Sequence, residues 1–191
     1  FVLYMQAEDG EFYNFVTDAE GTVNRTGGTS YKSLGWWAMR GLWALGEGVR
    51  VFDGIDAEYA DRLAGAYLRT EAALAGTMGN YGEMLTVHGF EIPAWIPGGE
   101  PAVASIGLLG LAAYYEARPN DVTAETITRI ADGVAQYRLG DHSTYPFGMH
   151  PVASNAPGFY HDWGAHMTHA LVVAGMALDR QDWIESAAAE A

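Results

Sequence analysis

The chain contains no cysteine among its 191 residues, which excludes a disulfide framework and thiolate metal sites. Lysine is nearly absent: of 10 Lys and Arg residues against 24 Asp and Glu, only Lys32 is a lysine. The formal charge of −14 argues against non-specific binding to nucleic acid or an anionic membrane, because phosphate affinity comes from Lys/Arg clusters. No apolar run approaches the ~20 residues that a membrane span needs. The start, Phe1-Val2-Leu3-Tyr4-Met5, has neither an initiator Met nor the charged region that opens a signal peptide. It reads as the end of a helix whose beginning is missing, hence a fragment or a processed chain. A cytoplasmic location is favoured over a secreted one. An acidic, nearly lysine-free surface also fits a high-salt cytoplasm, an expectation that stability in dilute buffer tests.

What is present is globular in character: 49% hydrophobic and 13% aromatic residues, a composition that argues against disorder. Ser33–Phe52, Pro101–Arg118 and His161–Arg180 are rich in Gly, Ala and large apolar residues and nearly uncharged. Each has the length of a four- or five-turn helix that is apolar around most of its circumference, the pattern of a helix buried on all sides. Amphipathic helices follow at Asp56–Leu74 and Val122–Leu139, and Gln181–Ala191 starts a third. Asp53, Asp56, Asp121 and Thr123 are candidate caps. Aligning the buried helices on Gly41, Gly107 and His169 gives a period of roughly sixty residues, the mark of a repeat. The predicted fold is all-α, a single domain over 1–191 made of helical hairpins.

The connections are unequal. Those within hairpins are short, at Asp53-Gly54-Ile55 and Pro119-Asn120-Asp121; those between them are long, at Gln6–Lys32, Gly76–Glu100 and Gly140–Tyr160. Three long connections at one end of consecutive helix pairs make a loop-built face, where chemistry on a rigid scaffold tends to sit. The first, Glu11-Phe12-Tyr13-Asn14-Phe15-Val16 followed by a turn at Asp18–Gly21, reads as a short hairpin.

The loops concentrate polar and aromatic side chains. Asp9, Glu11, Glu83, Glu91, Glu100, Asp141 and Asp162 are the loop carboxylates. Glu83 sits in Asn80-Tyr81-Gly82-Glu83-Met84, an apolar and aromatic setting that favours a general acid. Asp162 opens the third buried helix, where a helix cap is the alternative role. All six histidines, His88, His142, His150, His161, His166 and His169, lie in the long loops or on the last buried helix. Asp162, His166 and His169 share a helical face, but seven residues rise about 10 Å, too far for all three to reach one ion. No metal and no cofactor are expected. Trp95, in Ile92-Pro93-Ala94-Trp95-Ile96-Pro97-Gly98-Gly99, is either a platform for a sugar ring or a packing residue. For Trp36, Trp37 and Trp43 packing is the better reading. Lys32, beside Tyr31, is expected to pair with a loop carboxylate. Arg40, two turns into a buried helix, needs an acidic partner, with Glu47 a candidate.

Two strings carry a resemblance. Gln6-x-Glu8-Asp9-Gly10-x-Phe12-Tyr13-Asn14-Phe15, followed by Thr29-Ser30-Tyr31-Lys32-Ser33-x-Gly35-Trp36-Trp37-Ala38-x-Arg40-x-Leu42-x-Ala44-Leu45-Gly46, resembles one hairpin of the six-hairpin glycosidase-like proteins. His161-Asp162-Trp163-Gly164-x-His166 is similar to the same group. The resemblance implies an (α/α)6-toroid, whole or partial, with a carbohydrate cleft at the loop-bearing end. With about three hairpins, the chain matches half of such a ring, which self-association or a further chain segment would complete. The implied activity is hydrolysis of a glycosidic bond through two carboxylates, Glu83 and Asp162. Tyr31, Lys32, Tyr81, His88, Trp95, Tyr145, His150, His161, Trp163 and His166 are then candidates to hold the sugar. The alternatives are a sugar epimerase or a polysaccharide lyase of the same fold, or a non-catalytic carbohydrate-binding or assembly module.

Overall fold

A computed structural model describes residues 1–159 and 166–190. The described residues are mostly helical, with a few short strands confined to the connections. After α1 (Val2–Met5) come α2 (Trp36–Phe52) and α3 (Ala57–Ala75), then the strands β1 (Met84–Val87) and β2 (Phe90–Pro93). Next are α4 (Pro101–Ala117), α5 (Asp121–Gln136), β3 (Leu139–Asp141), β4 (Thr144–Met149), α6 (Met167–Leu178) and α7 (Gln181–Ala188). Among the described residues, α2 to α7 pair as α2–α3, α4–α5 and α6–α7, close to the positions that the hydrophobic pattern predicts; residues 161–165 of the third predicted segment lie outside the described residues.

The caps differ in detail from the expectation. Asp56 accepts from the Tyr59 amide at 3.0 Å and starts α3. α5 is capped by Asn120, which accepts from Thr123 N at 2.9 Å, so Asp121 and Thr123 lie inside the helix rather than at its cap. Asp53 ends α2 and binds Arg118 instead.

The first helix of each hairpin packs against that of the next, α2 on α4 and α4 on α6. Glycine sets the α2–α4 distance. A Cβ on Gly46 would fall inside the Gly110 carbonyl, and one on Gly110 would meet Trp43 Cα at 2.6 Å. Gly107 likewise faces the Met39 side chain. These pairs ascend together along both helices, so α2 and α4 run parallel. α5 and α7 also ascend together: Asp132 meets Trp183, and Ala135 meets Ser186. The long connections therefore leave from one end of the molecule. The second and third interlock there, with Ser154 N donating to Gly99 O at 2.8 Å and Ala102 N to Val152 O at 3.4 Å.

The long connections carry more order than loops without structure. β1 pairs antiparallel with β2, and β3 with β4. In the first connection Val16 bridges Val23 and Phe12 bridges both Gln6 and Ser33, so the expected hairpin turn is present.

The core is centred on α4, which is buried from Pro101 to Tyr114. α6 corrects the expectation of burial on all sides. Met167, Ala170, Leu171, Ala174 and Gly175 are buried, but Val172 and Val173 are half-buried and Met176 is 74% exposed. α4 packs against the first helix of a hairpin on both sides, α2 and α6, whereas α6 has one on a single side among the described residues. No helix among the described residues is long and apolar enough to cross a membrane.

Candidate functional site

The cleft is built from one stripe of α2. Trp36, Arg40, Trp43, Glu47 and Arg50 recur every three or four residues and so share a helical face. On an otherwise apolar helix this stripe is aromatic and charged, and its Trp43, Glu47 and Arg50 line a cavity together with residues of α4 and α6. The Trp43 and His166 rings meet edge to face, with centroids 6.4 Å apart. Beyond them opens a cavity of about 560 Å3 between α2, α4 and α6. Leu109, Ala112 and Val173 line it with apolar side chains, Met176 stands exposed above them, and Trp43 and His169 line it too. Glu47, Arg50 and Glu116 stand at its rim.

Electrostatics divide the cleft. Arg50 Nη2 binds Glu47 Oε2 at 2.6 Å. Glu47 is thus the partner of Arg50 and not of Arg40, which is exposed and lies 5.5 Å from the Trp36 ring centroid. Arg40 escapes the expected burial and lines a separate shallow pocket with Phe1, Met5, Phe12 and Tyr13. Burial lowers the pKa of His166, with His169 and Arg40 adding repulsion, so the neutral ring is favoured there.

A second, polar pocket of about 560 Å3 lies in the first long connection, among Gln6, Glu8, Asp9, Tyr13, Arg25 and Lys32. Lys32 pairs there with Asp9 and, at 2.9 Å, with Glu11, as its isolation in the sequence suggests. Arg25 lies over the Tyr13 ring at 4.9 Å. Tyr31 is exposed beside this cluster.

The other candidates scatter. Glu83 is exposed at the base of the β1–β2 hairpin, held through its backbone to Asn80 and Ala94. The apolar enclosure expected around it is not formed. His88 is exposed in the turn of that hairpin, at φ 50°. Tyr145 is exposed on β4, early in the third connection, and packs near Phe90 and Phe147. Asp162, His161 and Trp163 lie outside the described residues.

Two candidates are corrected. Trp95 is a core residue at 2% exposure, and its Nε1 donates to Arg129 O at 2.8 Å. Its Pro- and Gly-rich loop folds inward onto α5 instead of displaying it. His150 is also fully buried: its Nδ1 lies 2.6 Å from Glu190 Oε2, and its amide donates to Glu190 Oε1. It fastens the third connection to the end of α7 and offers no face to a ligand.

Tyr81 is drawn into a different arrangement. Its hydroxyl donates to Asp132 Oδ2 at 2.6 Å, and that bond, with burial, raises its pKa to about 12. Asp132 Oδ1 also accepts from Trp183 Nε1 at 2.9 Å and Arg180 Nη2 at 3.1 Å. One carboxylate thereby joins α5, α7 and the second connection. Among the described residues no group of three or more His, Asp or Glu side chains is placed to hold a metal ion.

Sequence reasoning missed Glu47 and Glu116 as cleft residues and assigned Trp43 to packing. The signal was available in the regular recurrence of aromatic and charged residues along α2. No protein-family model and no curated protein matches this chain.

Proposed function

We propose that the chain is a carbohydrate-active protein, a whole or partial (α/α)-toroid of the six-hairpin glycosidase type, with its sugar lying along the cleft between α2 and α6. The observation that carries this reading is the placement of Trp43 against His166 and His169 over a cavity shared by three parallel hairpins. A tryptophan face suits the C–H side of a sugar ring, and histidine nitrogens suit its hydroxyls. The long connections leave from the other end of the same helices, so in this reading a bound glycan runs from the cavity along α2 and α6 toward the loop carboxylates, none of which lines the cavity itself. The proposed reaction is hydrolysis of a glycosidic bond, with Glu83 as acid and Asp162 as base or nucleophile.

A second reading, a carbohydrate-binding module without turnover, is favoured by one observation: Glu83 is exposed and lines neither pocket. The two readings separate in one experiment. Neutral oligosaccharides are screened for binding by calorimetry and for release of reducing ends, using the parent chain, Trp43→Ala, Glu83→Gln and Asp162→Asn. Hydrolysis predicts turnover that either carboxylate change lowers by at least a hundredfold. Binding without turnover supports the module, and no binding to any sugar removes both.

A further inference from the structure

The cleft is not uniform along its length, and the difference bears on what it holds. Toward the long connections the Trp43 ring meets the His166 ring edge to face, and the Arg40 charge acts on His166. Toward the short turns the cleft presents the cavity floor of Leu109, Ala112 and Val173, with Met176 standing 74% exposed above it. Sugar hydroxyls laid on that floor would find few partners, and an unpaired polar group out of water is costly. The floor therefore suits an apolar group. The rim fixes its charge. Arg50 is already satisfied by Glu47, and Glu116 stands nearby. With the chain as a whole at −14, an anionic tail meets repulsion.

We infer that the cleft takes a glycoside with an uncharged apolar aglycone, its sugar held at the Trp43–His166 end and its aglycone in the cavity between α4 and α6. The sugar half rests on the proposed function; the apolar half rests on the cavity alone. The cavity volume of about 560 Å3 is in the range of small-molecule sites, which run to roughly 300–1,000 Å3.

The test is calorimetry with methyl, butyl, hexyl and octyl glucoside, each below its micelle concentration, and with free glucose, 1-octanol and octanoate. Each added methylene is expected to tighten binding by up to about fourfold, and octyl glucoside is expected to bind more tightly than octanoate. Met176→Asp, at an exposed position, is expected to flatten the chain-length series. Affinity independent of chain length, or an equal slope in Met176→Asp, overturns the inference and leaves the carbohydrate reading standing wherever free sugars bind. A chain-length slope with 1-octanol as tight as octyl glucoside overturns the glycoside assignment and counts against the carbohydrate reading itself. A concentration-dependent dimer that Met176→Asp abolishes, with no ligand slope, assigns the face to a second copy and overturns the inference.

Discussion

α4 and α6 read alike in sequence and differ in the fold. Both are apolar around most of their circumference and both begin a hairpin. α4 is buried from Pro101 to Tyr114, whereas Met176 of α6 is 74% exposed and Val173 walls a cavity. The hydrophobic pattern records that a face is apolar; the number of neighbouring helices decides whether that face is covered. An apolar face left open beside Trp43 and two histidines is where this molecule offers a ligand something its buried centre does not.

The largest expected break in the comparison is at the α2–α4 contact. Gly46→Ala places a Cβ against the Gly110 backbone, which cannot retreat without parting the helices. The expected cost is about 3 kcal/mol or more, at the upper end for overpacking, read by chemical denaturation. Leu108→Ala, fully buried in α4, is expected to cost about 2–5 kcal/mol, against about 0.5 kcal/mol or less for Met176→Ala in α6. Equal losses at the two sites would mean that α6 is covered in solution.

Asp132→Ala removes the acceptor shared by Tyr81, Arg180 and Trp183. It leaves the buried Trp183 Nε1 unsatisfied, while Tyr81 and Arg180 reach water, with an expected cost of about 1–3 kcal/mol. Because this carboxylate fastens α7 to α5, hydrogen exchange is expected to rise in α7 while α4 stays protected. A uniform rise would erase the distinction between the covered centre and the edge.

The smallest effects are in pH dependence, and they run in opposite directions at the two sites. Glu71, buried beside Tyr67 in the covered core, has its pKa raised, chiefly by burial. A raised acid contributes stability that is present below its unfolded pKa and is lost as pH rises through the folded value. Glu71→Gln is therefore expected to flatten the fall in Tm on the alkaline side of the carboxylate range. His166 in the cleft has its pKa lowered. Its contribution is present above the unfolded histidine pKa and is lost as pH falls through the folded value. His166→Gln is expected to reduce the loss of Tm on mild acidification, and an unchanged acid limb would count against a desolvated ring.

The hairpins were legible because each helix carries its own periodicity and its own turn residues, as at Asp56 and the Pro119-Asn120 turn. Lys32 was legible because a single lysine amid acidic loops has obvious partners. Trp95 and His150 were not. Whether a Pro- and Gly-rich loop points outward or folds back onto α5 depends on contacts with residues far away in sequence, Arg129 for Trp95 and Glu190 for His150. The cleft was half-legible. The stripe from Trp36 to Arg50 is written in α2, but its opposite wall comes from α6, more than a hundred residues later.

Hydrogen exchange of the full chain with and without a bound neutral oligosaccharide tests the cleft most directly. Protection of peptides covering 36–50 and 166–178 together is the expected result. Protection confined to 1–32, around Lys32 and Arg25, or its absence from both inner helices, would place the ligand elsewhere and contradict the account.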